Sequence, residues 1–269
     1  MTKDADRAQR QSLLGDCAAA FLLLSRIPVT WHSFPEDRPP DFISSLWAFP
    51  VVGLVIGAAA GATLLLADML MLPPLVAATL GLLVLAMLSG AMHEDGLADM
   101  ADGFGGGRDV ESKIRIMHDS RIGSYGVLAL ILSSVARVGL LMTCMEFFSG
   151  AQLVALIALT QAASRFQPVL QLSIFGISPH ASLAHLTGRP GYIGLIAAAL
   201  VWLVPLVWLI GAPAALVMVA TAGSLSLWIG NLARRQIEGL TGDVMGATTI
   251  LGEIALLACL IPLSQMALA

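Results

Sequence analysis

Between His93 and Gly123 the chain places seven of its 18 acidic residues: Glu94, Asp95, Asp99, Asp102, Asp109, Glu111 and Asp119. The run His93-Glu94-Asp95-Gly96-Leu97-Ala98-Asp99-Met100-Ala101-Asp102-Gly103 sets Asp95, Asp99 and Asp102 at i, i+4 and i+7. On a helix these three carboxylates project from one face. Adjacent like charges repel unless a cation sits among them. Hard carboxylate oxygens suit magnesium or manganese, and Mg2+ characteristically bridges one or two carboxylates to substrate phosphates. The spacing therefore implies phosphoryl or pyrophosphate transfer, in which a metal neutralises charge developing on the phosphates. Asp109 and Glu111 are explained by a solvated loop face.

Directly after the acidic run come Gly103, Gly105, Gly106 and Gly107, then Arg108, and later His118-Asp119-Ser120-Arg121-Ile122-Gly123. Backbone N–H groups of a glycine-rich turn can cradle phosphate oxygens, and Arg108 or Arg121 can clamp them bidentately. A merely flexible turn explains the glycines equally well. No Walker lysine follows them, so a P-loop nucleotidase is excluded, and no serine nucleophile elbow, zinc-protease helix or Rossmann fingerprint occurs elsewhere. A second polar stretch, Glu238-Gly239-Leu240-Thr241-Gly242-Asp243-Val244-Met245-Gly246, offers Asp243 among glycines. It reads either as a further carboxylate for the same site or as an ordinary turn.

The elements that must position these residues are membrane helices. Of 269 residues 57% are hydrophobic and only 12% charged, with a mean hydropathy of +0.85, against roughly 25% charged residues in soluble domains. A water-soluble fold is excluded, and the net charge of -4 leaves no basic surface for nucleic acid. Cys17, Cys144 and Cys259 lie far apart in apolar stretches and read as packing residues.

A helix needs about 20 residues to cross the hydrocarbon. Seven stretches qualify: Ser44 to Ala67, Leu72 to Ala91, Ser124 to Phe147, Ala151 to Phe175, Tyr192 to Ile210, Ala214 to Leu232 and Ala247 to Met266. The expected fold is all-α, a single polytopic bundle over residues 1–269 with a catalytic loop at about 93–123. An interfacial or half-inserted helix from about Ser12 to Arg26 precedes it, and no signal cleavage is expected because Arg26, Ile27 and Pro28 replace a small-residue site. The turns at Asp68 to Met71, Phe148 to Gly150 and Gly211 to Pro213 lack Lys and Arg. Lys3, Arg7, Arg10, Arg38, Arg108, Lys113, Arg115, Arg121, Arg189, Arg234 and Arg235 all fall on the opposite side, which the positive-inside rule makes cytoplasmic.

Gly53, Gly57 and Gly61 share one helix face and read as a close-packing stripe. Arg137, Arg165 and Glu253 lie within spans, where a charge costs about 2.5–3.5 kcal/mol on the insertion scale, so each needs a partner or a polar cavity. The sequence leaves their pairing open.

Taken in order, these segments resemble the cobalamin synthase family, the adenosylcobinamide-GDP ribazoletransferases. The likeness runs through Ser25-Arg26-Ile27-Pro28, Phe49-Pro50-Val51-Val52-Gly53, the His93 to Gly103 motif, Asp119-Ser120-Arg121-Ile122-Gly123-Ser124-Tyr125-Gly126 and Gly239-Leu240-Thr241-Gly242-Asp243. It implies a multi-pass enzyme of the bacterial inner membrane, its site facing the cytoplasm and its spans surrounded by lipid. With Mg2+ it would join adenosylcobinamide-GDP to alpha-ribazole or its 5'-phosphate and release GMP. The resemblance makes Asp95, Asp99 and Asp102 metal ligands, and His93, Asp102 and Asp119 catalytic. Substrate would be held by Arg26, Gly103, Arg108, Arg121 and Asp243. Glu94 stands where the family pattern suggests an apolar residue.

A fainter likeness to the CDP-alcohol phosphatidyltransferases rests on Asp99-Met100-Ala101-Asp102-Gly103, but the following arginine and later paired aspartates are out of register. An ion-coupled transporter would also explain charges inside spans, but its site would lie near the midplane.

Overall fold

The computed structural model describes residues 12–29, 40–181 and 188–268. Lys3, Arg7, Arg10 and Arg38 fall outside the described residues. The architecture is an all-helical polytopic membrane bundle, with α1 (Leu13–Leu24), α2 (Phe49–Met69), α3 (Pro74–Ser89), α4 (Met92–Gly106) and α5 (Val110–Met117). After these come α6 (Ser124–Phe147), α7 (Gly150–Ile174), α8 (Tyr192–Ile210), α9 (Ala212–Ile237) and α10 (Gly242–Leu268). Among the described residues six helices are long and apolar enough to cross a membrane, and α3 with α4 makes a seventh only if that bent pair is one span.

Capping chemistry sets several boundaries. The Ser12 hydroxyl accepts from Gly15 N at 3.1 Å to start α1. Asp109 and Ser112 form a reciprocal capping box at α5. Asp16 on α1 accepts hydrogen bonds from the Ser44 hydroxyl (2.6 Å) and the Trp47 indole (2.9 Å), fastening the amphipathic start of the chain to the 3-10 turn Ser44–Ala48 that leads into α2.

The centre of the bundle is α7, whose most extensive contact is with α2. The glycine stripe makes that contact: a Cβ on Gly57 would lie 2.7 Å from Ala158 Cα, and one on Gly61 2.8 Å from Val154 Cα. The stripe therefore packs two backbones together, as its spacing suggests.

The expected second span, Leu72 to Ala91, differs most from what is observed. The helix starts at Pro74 after Pro73 and has only 16 residues. It stops at Gly90 (φ 68) and Ala91 (φ 56), both left-handed, and α4 departs at 89°. The acidic helix is not a straight continuation of the span. Gly90 ends α3 in the conformation glycine adopts freely, and no side chain fits there because a Cβ would lie 2.8 Å from Arg26 Cγ. The acid-rich α4 thus leaves α3 at a right angle and packs against α10 and α6. Residues 93–123, expected as a loop, are mainly the helices α4 and α5.

Counting α3 with α4 as one passage puts the turns after α2, α6 and α8 on the face opposite the α4–α6 connection. Single cysteines at Met71 and Gly150 should react with a membrane-impermeant thiol reagent from one side of sealed vesicles, and cysteines at Arg108 and Arg189 from the other. Labelling of Met71 and Arg108 positions from the same side would break this topology.

Candidate functional site

The corner at Gly90 brings α4 against α10 so closely that a side chain at Gly96 would collide with the facing backbone and one at Gly246 would be tight. A Cβ on Gly96 would lie 2.8 Å from Asp243 O, and one on Gly246 3.3 Å from His93 Cα. This contact carries Asp243, in the first turn of α10, to the acidic face of α4. The polar stretch before the last span is therefore the start of that helix. Thr241 Oγ1 accepts from Val244 N at 3.3 Å there. The segment is tied down by Ser178 N donating to Leu240 O and Leu240 N donating to Gly176 O, both at 2.9 Å.

Asp95 is exposed and Asp99 half-buried on this face. Burial, then the carboxylates of Asp95, Asp243 and Asp102, push the Asp99 carboxyl up to about 7. The four acids form one negative cluster. Among the described residues no three His, Cys, Asp or Glu side chains are arranged to hold a metal by themselves.

Asp102, expected to face a metal with Asp95 and Asp99, is instead buried and turned to the start of α6. Its Oδ2 accepts from Gly123 N at 2.7 Å and its Oδ1 from Gly126 N at 2.9 Å. A carboxylate against the N-terminal amides of a helix gains both charge-assisted bonds and the helix dipole. A Cβ on Gly123 or Gly126 would collide with that carboxylate, so both glycines of the Gly123-Ser124-Tyr125-Gly126 segment leave room for Asp102.

Glu94, the residue out of pattern, has a partner that the sequence did not reveal. Arg137 on α6 donates from Nη1 to Glu94 Oε1 at 2.7 Å and from Nε to Glu253 Oε1 at 3.0 Å, with Nη2 2.9 Å from Glu253 Oε2. This buried triad joins α4, α6 and α10. Arg165 on α7 takes a different course. It is 3% exposed, its Nη1 donates to Gln161 Oε1 at 2.6 Å and to Gln161 O at 3.2 Å, and it makes no ion pair among the described residues.

Between α1, α2, α4, α7 and α10 lies a cavity of about 240 Å3. Leu24, Phe49 and Met92 give it an apolar wall, and His93, Asp95, Arg165 and Asp243 supply its polar groups. His93 is buried beside Arg165 and Arg137. The structure thus brings together His93, Asp95, Asp99 and Asp243.

The remaining candidates sit elsewhere. Gly103, Gly105 and Gly106 continue α4 as helix, and Gly107 N donates to Gly103 O at 3.0 Å as its cap. They are contact positions: a Cβ on Gly105 would lie 2.8 Å from the Tyr125 ring, and one on Gly103 would run into Met117. Arg108 is exposed. Arg121 is held by Asp119, with Nη2 2.7 Å from Oδ2, and that guanidinium keeps the Asp119 carboxyl down at about 2. The Arg26 side chain lies across the Gly90 corner, and the Arg26 backbone N–H donates to Leu88 O at 2.7 Å.

The helical bundle thus gathers carboxylates of two helices and a buried guanidinium around one cavity. The chain matches the family model described as cobalamin-5-phosphate synthase over residues 16–261. It is 42% identical to the adenosylcobinamide-GDP ribazoletransferase of Bradyrhizobium diazoefficiens, covering 92% of this chain and 93% of the relative. The enzyme of the same name from Azorhizobium caulinodans is 40% identical over 91% and 94%, and that from Brucella anthropi 35% over 94% and 98%. No solved structure matches the chain. The chain belongs to the cobalamin-5-phosphate synthase family, transferases of cobalamin biosynthesis.

The Asp102 clamp is testable on its own. Gly126→Ala should cost about 1–3 kcal/mol by forcing the carboxylate out, seen as a lowered melting temperature in detergent. The same substitution in an Asp102→Ala background should cost clearly less, because the two sites share one space. Additive losses would disprove the clamp.

Proposed function

We propose that the chain transfers the adenosylcobinamide phosphate of adenosylcobinamide-GDP to the hydroxyl of alpha-ribazole or its 5'-phosphate, releasing GMP. The observation that carries this reading is the cavity, where carboxylates of two helices face a buried arginine beside an apolar wall. The names of the relatives supply the substrates.

The donor set fits Mg2+. This ion keeps several waters and takes only one or two protein carboxylates beside substrate phosphates, so it does not require three converging side chains. Asp95, Asp99 and Asp243 are the residues that would hold it, since their mutual repulsion is what a cation relieves. Asp102, committed to two backbone amides, orients α6 beside them. The bound ion supplies neutralisation of charge on the phosphates.

In the transfer, the acceptor hydroxyl oxygen forms a bond to the cobinamide-linked phosphorus as the bond to GMP breaks. The hydroxyl proton passes to a carboxylate of the cavity wall, and Asp95 and Asp243 are the ones placed to take it. The polar wall contains no Ser, Cys or Lys nucleophile, which supports a single in-line displacement held together by positioning and electrostatics. The basic residues on the α4 end of the bundle support a cytoplasmic site in the bacterial inner membrane.

Purified protein in detergent should convert adenosylcobinamide-GDP and alpha-ribazole 5'-phosphate to product only with Mg2+. Asp95→Asn and Asp99→Asn should each lower kcat on the order of 10²-fold and raise the Mg2+ concentration for half-maximal rate. Asp109→Asn, at the exposed cap of α5, should stay close to wild type. No product from the wild type, or equal losses at Asp109 and Asp99, would refute the reading.

A further inference from the structure

Arg137 and Arg165 are both buried in spans, yet only one of them is answered by carboxylates. Arg137 spends Nε, Nη1 and Nη2 on Glu253 and Glu94. Arg165 has a buried Nε with no hydrogen-bond partner, and its Nη1 is held by a neutral amide and a carbonyl of Gln161. With its partners ionised the Arg137 triad carries one surplus negative charge. That surplus balances Arg165 from a distance without occupying its donors. The guanidinium is therefore charged and short of acceptors, and it lines the cavity.

We infer that Arg165 is a substrate-binding residue, whose guanidinium receives a phosphate group entering the cavity past Asp95 and Asp243. This inference rests on the transferase reading and names one binding contact within it. A guanidinium fork matches phosphate oxygens in shape as well as charge, which a simple membrane-buried counter-charge would not need. Pro168 lies one turn further along the same wall and has no N–H for the Ser164 carbonyl, which opens the helix backbone beside Arg165. The cavity volume of about 240 Å3 falls below the usual range for drug-sized ligands. It accommodates a phosphate with a small aromatic ring against Leu24, Phe49 and Met92, and it is too small for a corrin macrocycle. Size thus favours the 5'-phosphate of the acceptor over the diphosphate of the donor, and both share the phosphate chemistry that Arg165 recognises.

The test compares alpha-ribazole 5'-phosphate with alpha-ribazole as acceptors for wild type, Arg165→Gln and Arg165→Lys. Loss of the fork should reduce the preference for the phosphorylated acceptor by about 10- to 100-fold through KM, with Lys recovering part of it. If the site instead holds the donor diphosphate, the KM for adenosylcobinamide-GDP rises by a similar factor and the acceptor preference stays; this also supports phosphate binding at Arg165. A folded Arg165→Gln protein with both unchanged, or with only kcat lowered, overturns the inference.

Should Arg165→Gln fail to fold, Gln161→Glu leaves the arginine in place but gives it a carboxylate, and it should weaken the same KM. An unchanged KM there overturns the inference too. Calorimetric binding of inorganic pyrophosphate to wild type and variants separates this inference from the reaction. If the wild type makes no product yet binds pyrophosphate through Arg165, the transferase reading fails and the binding site stands. Equal pyrophosphate binding by wild type and variants removes the site.

Discussion

A guanidinium inside a membrane bundle needs its charge balanced, and the position of almost everything at the active end follows from how Arg137 is answered by carboxylates. Its two partners come from different helices, Glu94 on α4 and Glu253 on α10. Removing one side of such a buried pair strands the other, which costs far more than a surface ion pair contributes. The triad therefore fixes the relative position of three helices that no apolar contact could fix as specifically. Lipid tails and leucines are equally apolar, so hydrophobic burial alone does not select one helix register over another inside a membrane. Polar contacts and close glycine packing have to do so.

Glycines take the second share of that work. Gly96 and Gly246 let α4 and α10 touch backbone to backbone, which carries Asp243 to the acidic face of α4. Gly123 and Gly126 clear the space that Asp102 needs to reach the N-terminus of α6. Gly90 turns the chain through the corner from which α4 leaves. In each case the missing side chain is replaced by a named neighbour, so these residues act by placing carboxylates.

The membrane class, six of the seven expected spans and the glycine stripe on α2 were legible because each depends on local composition and periodicity. The family was legible because its motifs recur in order along the chain. The right-angle break after Ser89 was not, since Gly90-Ala91 inside an apolar stretch looks like the end of a span, and only the left-handed backbone at both residues makes it a corner. Gly103 and Gly105 read as part of either a phosphate-cradling or a merely flexible turn, yet tertiary contacts with Met117 and Tyr125 explain them within a helix. The i, i+4, i+7 pattern correctly put the aspartates on one helix, but a helical wheel does not show that Asp102 finds amides from another element. For the same reason the pairing of Arg137 with Glu94 could not be read, as those residues stand 43 positions apart.

The two buried arginines show how one bundle separates holding from binding. Arg137 is satisfied on every nitrogen, so it has nothing left to offer a ligand and acts as a joint. Arg165 sits in the neighbouring helix with an unpaired donor, and the charge that balances it is supplied by the joint through space. Because the balance is made at a distance, the binding group needs no direct carboxylate, which would otherwise compete with an incoming phosphate. The cavity then presents carboxylates on α4 and α10 and, on α7, a guanidinium whose Nε is unpartnered. A phosphate with an accompanying cation has this same pairing of charges in reverse, and each half finds its complement on a different helix.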